Sequence, residues 1–445
     1  MFLNKIILAT LSPSYSKAIL NALKYQYVNT EESIRISNKK LKNILEYAVN
    51  YTDYYQQSIL KIKSNQIQPS LDMFPILTKE LINNHSTELI SRQFINKSRM
   101  KKNSTSGSTG VKLNFFSDKK TDVIRHACSF RSNTWTGWDF GEPQVILWGA
   151  IHDFKKLNSL KKKILNSRIL FNSSMLSSYD MTTKNMMEYI EIINKFKPTI
   201  ITAYPSSLEL FANFIMKNNY QIHSPKGIIT SGETLFPFQR EKIQDVFRCQ
   251  VHNRYGCREV GHIACECEQQ NGLHISSDHV YVEVVNKEGR PCKPGEVGEI
   301  LITDLDNFVF PFIRYKIGDI GALSEKRCNC GRSLPLLEKI EGRTFDIIVG
   351  QNGNHLPGTF FTLLRYKVNG LEQFQIFQEQ VDKIKVIVKR CKEFDDIQQK
   401  ILINCIKEKL GDNTIVEIEQ VDKIEVKESG KFHWVTSKIA TSVKL

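Results

Sequence analysis

Two clusters of residue types in this chain can do chemistry. The first is Asn103-Ser-Thr-Ser-Gly-Ser-Thr-Gly110-Val-Lys112. Small hydroxylated residues between glycines present backbone N–H groups and hydroxyls together, and such a loop wraps the oxygens of a polyphosphate. It is not a Walker loop, because no G-x-x-x-x-G-K-[ST] run occurs, and the dinucleotide fingerprint G-x-G-x-x-G is absent too. The competing reading of the segment is a flexible linker. The second cluster is Cys265-Glu-Cys267, then His274, then Cys328-Asn-Cys330-Gly331. Thiolates and an imidazole from two segments suit a closed, four-coordinate structural zinc held by Cys267, His274, Cys328 and Cys330, with Cys265 as a spare able to replace Cys267. Free cytosolic thiols near one another are the plain alternative, since Cys-x-Cys is tighter than the usual zinc spacing.

These residues need a frame. Short apolar runs ending in small or polar residues, QVILWGA, PTIITAYPSS, KGIITSGETL and CQVHNRYG, alternate with helical patterns such as NMMEYIEIINKF and SLELFANFIMKN. That alternation predicts a parallel sheet with crossover helices. Ligands of such sheets bind beyond the carboxyl ends of the strands, where Tyr204-Pro205, Ser231-Gly232-Glu233 and Tyr255-Gly256 fall. After residue 272 the alternation becomes two-residue, as in HVYVEVV and GEILITDL, which predicts antiparallel pairing. Residues 1–100 read as a mostly helical lead-in, with LKNILEYAVNYTDYYQQSIL at helical spacing and Thr78 opening a helix at KELI. The last hundred residues read as strand, turn, strand, helix, strand. The expected class is therefore α/β: a large N-terminal region of mixed sheets with helices on both faces, then a small α+β C-terminal domain.

The motifs, taken in order, resemble those of the adenylate-forming enzymes, the acyl-CoA synthetase and ligase superfamily. Thr105-Ser-Gly-Ser-Thr-Gly110 is similar to its nucleotide-phosphate loop and Tyr255-Gly-Cys-Arg-Glu259 to its Tyr-Gly-x-x-Glu motif. Arg314-Tyr-Lys-Ile-Gly-Asp319 resembles its Arg-Tyr-x-x-Gly-Asp motif, Gly342-Arg343 its domain boundary, and Ser429-Gly-Lys431 falls where the family keeps a catalytic lysine. The helical N-terminus with FPILTKELI and the phrase ITSGETL resemble the phenylacetate-CoA ligase branch, including CapK-like proteins of polysaccharide loci. Some relatives in this branch carry a similar Cys…His…Cys-x-Cys-Gly-Arg pattern.

The resemblance implies an adenylation domain over 1–343 and a mobile C-terminal domain over 344–445. It implies an AMP-forming ligase that converts a carboxylate into an acyl-adenylate and passes the acyl group to coenzyme A. The alternatives are transfer to another thiol or an amino sugar, or a noncatalytic nucleotide- or acyl-adenylate-binding role in a polysaccharide pathway. Carboxylate and ATP are both anions, so positive charge and Mg²⁺ must offset their repulsion. Thr105, Ser106, Gly107, Ser108, Thr109, Gly110 and Lys112 would hold the phosphates, and Glu259 would coordinate Mg²⁺. Tyr255 with Gly256 would stack on adenine, with Ser231, Gly232 and Glu233 passing its edge. Asp319 would accept from the ribose hydroxyls, Arg343 would reach ribose or phosphate, and Arg314 would support the same region. Lys431 would bridge the carboxylate and α-phosphate oxygens. The zinc cluster would tie the end of a nucleotide-site helix to the loop before Gly342. At one place the chain departs from the family, which commonly has Asp or Lys two positions after the boundary arginine: here Phe345 stands, with Asp346 next. A homodimer would be unsurprising by the same analogy.

Composition bounds the rest. The chain has 445 residues, 41% apolar and 24% charged, with 13 Pro and 23 Gly, which excludes a disordered, collagenous or disulfide-scaffold protein. Ten cysteines, several clustered, fit a reducing, cytoplasmic setting. No apolar stretch is long enough to span a bilayer, and the run Ile6–Leu11 before Pro13 reads as an amphipathic first helix rather than a cleaved signal. The net charge of +14 comes without a concentrated basic helix, RNP-like strand or zinc-finger spacing, so it points to small anionic cosubstrates and not to nucleic acid. His152 and the aromatics Trp135, Trp138, Phe140, Trp148 and Tyr204 are candidates for an acyl pocket or for core.

Overall fold

The computed structural model describes residues 13–60, 68–94, 100–105, 113–148, 172–178, 181–343, 347–351, 355–357, 360–361, 364–371, 373–424 and 432–439. Two compact units divide the chain. The first comprises residues 1–317 and 322–339, the second 318–321 and 340–445.

The lead-in forms α1 (Pro13–Tyr25), α2 (Thr30–Tyr51), α3 (Asp53–Leu60) and α4 (Lys79–Asn84). The continuous helical pattern over 41–60 is broken at Thr52, which turns extended while its hydroxyl and N–H both close back on the Ala48 carbonyl. Asn29 and Thr78 cap α2 and α4 by accepting from Glu32 N and Leu81 N, so the N-cap expected at Thr78 is present. A hairpin of β1 (Lys101–Ser104) and β2 (Asn114–Ser117) follows, then α5 (Lys119–Thr134), N-capped by Asp118.

The central feature is an eleven-stranded sheet. Its parallel part is built from β3 (Gln144–Trp148), β4 (Ser173–Ser177), α6 (Thr183–Phe196), β5 (Ile200–Ala203), α7 (Pro205–Lys217), β6 (Gly227–Ser231), α8 (Pro237–Phe247) and β7 (Gln250–Cys257). Strands β4, β3, β5, β6 and β7 lie side by side, all parallel. Alternate residues serve the two faces. Val145, Leu147, Ile201, Ala203, Ile228 and Val251 pack with Ile190, Leu208, Phe211, Ile243 and Phe247 of α6–α8. Ile200 and Ile229 point the other way, onto Ile19 and Ala22 of α1 and Ala127 and Phe130 of α5. Helices therefore cover both faces, as the pattern required. Burying each such large side chain contributes roughly 1.5–3 kcal/mol.

Antiparallel pairing begins earlier than the sequence pattern placed it. Strand β8 (Gly261–Glu266) already runs antiparallel to β7, and β9 (Leu273–Ile275) to β8. The sheet continues through β10 (Val280–Val285), β11 (Gly298–Asp304), β12 (Tyr315–Leu323) and β13 (Leu336–Arg343), in the order β10-β11-β12-β13-β9-β8-β7. The helix expected between the Tyr-Gly motif and Cys267 is thus strand β8, whose residues His262 to Glu266 are all buried.

The second unit contains the short pair β14 (Ile347–Val349) and β15 (His355–Pro357), then β16 (Phe374–Gln380), β17 (Lys383–Lys389), α9 (Asp396–Leu410), β18 (Ile415–Val421) and β19 (Val435–Ser437). The strand, turn, strand, helix, strand reading matches β16 to β18. Its sheet has the order β18-β17-β16-β19, and Phe374, Ile376, Ile384, Val386 and Val388 pack on Leu402, Ile406 and Leu410 of α9. Among the described residues no helix is long and apolar enough to cross a membrane.

Candidate functional site

Three strand ends meet as the topology demands. Trp148 closes β3, Tyr204 follows β5, and their rings stack at 4.0 Å with 27° between planes. Gly232 follows β6 at φ +84°, and a Cβ there would lie 2.9 Å from Tyr204 Cε1 and 3.3 Å from Trp148 Cη2. Glycine is therefore required by both conformation and space. Glu233 Oε2 accepts the Ser206 N–H at 3.1 Å, satisfying a main-chain donor at the positive end of α7. Of the aromatics weighed for a pocket, only Trp148 and Tyr204 stand at this edge. Trp138 and Phe140 pack in the core against Phe130, and Trp135 lies edge-on to His274 at 5.5 Å. His152 lies outside the described residues.

Glu259 sits in the tight connection between β7 and β8. A Cβ on Gly256 would come within 2.5 Å of the Gly261 carbonyl oxygen, and Gly261 has φ +80°, so two glycines set this turn. Glu259 is buried, and the Tyr315 hydroxyl donates to its Oε1 at 2.8 Å. The neighbouring Arg258 donates to the Ser104 carbonyl at 3.1 Å, tying this turn to the end of β1. Just beyond, Thr105 pairs with Leu113 through N–H to O at 3.0 Å, and Leu113 N donates to Thr105 Oγ1 at 3.3 Å. The residues flanking the hydroxyl-rich segment, Thr105 and Leu113, are thus joined to each other at the end of the hairpin that Arg258 ties to the Glu259 turn. Ser106, Gly107, Ser108, Thr109, Gly110 and Lys112 themselves lie outside the described residues.

The other expected residues fall as follows. Tyr255 stands opposite Ala264 next to a register shift at Gly256. Asp319 is buried within β12, after Gly318 at φ +90°. Arg314 adopts φ +50°, pairs with Glu283 at 3.2 Å and donates to the carbonyls of Phe74 and Gly289 at 3.3 and 3.0 Å. Its guanidinium is a brace between the lead-in and β10. Arg343 ends β13, and Lys431, Phe345 and Asp346 lie outside the described residues.

Behind the Glu259 turn lies a buried ionic cluster that no motif indicated. One nitrogen of Arg125, on α5, donates both to Asp304 Oδ2 at 2.8 Å and to the Glu259 carbonyl at 2.6 Å. His279 Nδ1 faces Asp306 Oδ2 at 3.1 Å, and its Nε2 lies 2.8 Å from the Val260 carbonyl. A carboxylate and a carbonyl can only accept, so both ring nitrogens donate and the imidazole is charged. Burial works against that charge, but Asp304 and Asp306 outweigh it and raise the pKa. Lys40 of α2 completes the cluster at 2.7 Å from Asp306 Oδ1 and 2.6 Å from the Asp278 carbonyl.

The second sequence cluster also assembles. The ligand atoms of Cys267, His274, Cys328 and Cys330 all lie within 4.8 Å of one another. Cys267 Sγ is 3.6 Å from Cys328 Sγ, and Cys330 Sγ is 3.3 Å from His274 Nε2. Tetrahedral zinc with ordinary bond lengths would need about 3.8 Å between sulfurs and about 3.6 Å from sulfur to nitrogen. These two pairs therefore match a zinc site to within a few tenths of an ångström. His274 Nδ1 bonds to the Leu334 carbonyl at 3.3 Å, leaving Nε2 for a metal, and burial holds its pKa down at about 4, so the ring is neutral. Burial pushes the Cys267 and Cys328 thiols up. For Cys330 burial is outweighed by hydrogen bonds from Arg332, and its pKa falls. Arg332 is itself held by Glu268 at 2.9 Å and by the Trp135 ring at 5.0 Å. Cys265, the spare, is buried outside the group of four.

Residues 173–307 match the family model described as AMP-binding enzyme, and residues 348–438 match the CapK C-terminal domain. The chain is 24% identical over 416 residues to Protein CapK of Staphylococcus aureus, covering 91% of this chain and 89% of that one. It is 36% identical over 177 residues to the phenylacetate-coenzyme A ligase of Escherichia coli K12, covering 38% and 39% respectively. Among solved structures, a 2-hydroxyisobutyryl-CoA ligase in the postadenylation state superposes with a TM-score of 0.74 at 15% identity, over 94% of this chain and 93% of that one. The two successive family matches, the near full-length similarity to CapK and the shared fold agree with the ordered motifs: the chain is an AMP-binding enzyme of the adenylate-forming superfamily, in its CapK- and phenylacetate-CoA-ligase-like branch.

Proposed function

We propose that the protein uses ATP to convert an organic carboxylate into an acyl-adenylate, releasing pyrophosphate, and then transfers the acyl group to coenzyme A. The observation that carries this reading is the Glu259 turn, a buried carboxylate beside the closed base of a Ser/Thr/Gly loop. A carboxylate with one oxygen fixed by Tyr315 keeps lone pairs for a hard cation, so Glu259 suits Mg²⁺. That ion supplies charge neutralisation between the two anionic reactants. Thr105, Ser106, Ser108, Thr109 and Lys112 hold the phosphates, and Tyr255 and the Ser231-Gly232-Glu233 edge take the adenine. Asp319 takes the ribose hydroxyls, Arg343 the ribose or phosphate, and Lys431 the charge developing at the α-phosphate. The stacked Trp148 and Tyr204 form one wall of the same edge. The four-residue Cys/His group holds a structural zinc with no open position.

The similarity to CapK-like proteins supports surface-polysaccharide assembly as the setting. A purely nucleotide-binding role is the second reading, and one experiment separates the two. ATP–pyrophosphate exchange across a panel of carboxylates is expected to respond to at least one acid, after which the same acid is scored for a coenzyme A thioester. Measurable ATP binding with no exchange for any acid would refute adenylation. Exchange without thioester would confine the failure to the second step.

A further inference from the structure

We infer that Arg125 is a positioning residue for Glu259, acting from outside every motif through the main chain of the Glu259 turn. Helix α5 brings Arg125 beneath the turn, where its side chain is nearly buried. Its terminal nitrogen carries two N–H groups, one for the Asp304 carboxylate at 2.8 Å and one for the Glu259 carbonyl at 2.6 Å. Its alkyl stem lies under Gly261, where a Cβ would meet Arg125 Cδ and Cγ at 2.9 Å. The next carbonyl, Val260, is held by His279 at 2.8 Å. Three consecutive residues, 259 to 261, are therefore fixed by two buried cations and one steric contact.

Asp304 keeps the clamp in place. It is fully buried, its Oδ1 accepts the Asp306 N–H at 3.0 Å, and His279 Nδ1 lies 3.7 Å away. Placing a buried guanidinium costs desolvation, which is offset only with paired and hydrogen-bonded geometry of this kind. Tyr315 fixes one oxygen of the Glu259 side chain, and Arg125 fixes the backbone that carries it. A hard cation tolerates little error in its ligand distances, and a carboxylate displaced by an ångström loses much of its use.

This inference rests on the reading of Glu259 as a Mg²⁺ ligand, and the test separates the two. The equilibrium affinity for ATP, with no carboxylate present, is measured by calorimetry with and without MgCl₂ for wild type, Arg125→Lys and Asp304→Asn. Arg125→Lys keeps a cation opposite Asp304, and Asp304→Asn keeps an amide oxygen for Arg125 to bond, so the pair keeps the proposal testable where Arg125→Ala would strand the buried Asp304 carboxylate. Wild type should gain affinity with Mg²⁺, and both variants should lose roughly ten- to a hundredfold of that gain, the range for a hydrogen bond to a charged group. Their Mg²⁺-free affinity should stay within about twofold of wild type, since hydrogen bonds to the nucleotide itself are untouched. A gain equal to wild type in the variants overturns the positioning role. So does an equal loss of affinity with and without Mg²⁺, which would indicate general damage to the site. A wild type with no Mg²⁺-dependent gain would instead refute the assignment of Glu259, and the inference with it.

Discussion

Zinc content is the most direct check on the residues brought together by β8, β9 and the 328–334 loop. The perturbation is Cys328→Ser, with Cys265→Ser as its control, because Cys265 is buried two residues from Cys267 yet outside the cluster. A tetrahedral S₃N site holds one zinc, so purified wild type and Cys265→Ser should each carry about one equivalent by mass spectrometry, and Cys328→Ser a small fraction of it. The stability consequence can be worked out. A metal present at a thousand times its Kd stabilises the folded state by about 4 kcal/mol. Unfolding entropy near 2.1 cal/mol/K per residue, over the several hundred residues of the first unit, gives roughly 0.7 kcal/mol per kelvin. The variant and the chelated wild type should thus melt about 6 °C below the zinc-loaded protein. Uptake by the chelated protein at neutral pH should release protons, because burial keeps the Cys267 and Cys328 thiols protonated until a metal binds. Less than about 0.3 equivalents of zinc in an active preparation, against the one a closed site holds, would refute the reasoning. A melting point indifferent to chelation would refute it equally.

Lys431→Ala should lower ATP–pyrophosphate exchange by on the order of 10²–10³-fold, the usual cost of one transition-state charge donor, and near-normal exchange would show that the lysine is misassigned. Gly232→Ala should destabilise by about 1–3 kcal/mol, since alanine resists φ +84° and its methyl meets the Tyr204 ring; a variant with unchanged denaturant midpoint and turnover would mean that the crowding at this edge is unimportant. His252 has its pKa lowered to about 4 by burial, against 6.5 when exposed. The unfolded chain then binds the extra proton first, so this contribution to stability is complete above pH 6.5 and is lost as pH falls towards 4. Denaturant unfolding at both ends of that window should show the loss in wild type and a shallower one in His252→Gln, and parallel pH profiles would exclude it.

The parallel strands, the crossover helices and the Cys/His group were legible because each leaves a local mark: an apolar run, a helical period, or a rare residue type at short spacing. The onset of antiparallel pairing was not. Strand β8 is buried along nearly its whole length, so GHIACE shows no alternation and its direction is set by the Gly256–Gly261 turn. Helix α5 was invisible for a related reason. Its sequence KKTDVIRHACSFRSNT looks like a solvated helix, but Arg125 and Arg131 face inward, where Asp304 and Asp278 receive them at 2.8 and 2.9 Å. Partners that lie 179 and 147 residues away cannot be read from a local pattern. Arg314 was legible as a motif residue, yet its pairing with Glu283 across the fold was not.

Strand β8 unites the two clusters, and their physics differs. At its first residue, Gly261 rests on the stem of Arg125, and just past its last, Cys267 enters the Cys/His group. In the zinc site we propose, metal–thiolate bonds are short and insensitive to small shifts elsewhere, so the Cys267 end should act chiefly on whether the hairpin stays folded. The Arg125 end is an ionic hydrogen-bond network, in which geometry decides whether burial costs or stabilises. It touches the Glu259 carbonyl directly, so disturbing it is expected to move the carboxylate we propose as the Mg²⁺ ligand before it unfolds anything. Between the two ends, β8 is paired on both sides, with β7 and β9, and because both its faces are buried a one-residue slip would exchange every side chain between two packed environments. A disturbance at the metal end should therefore reach stability first and affinity last, whereas one at the ionic end should do the reverse.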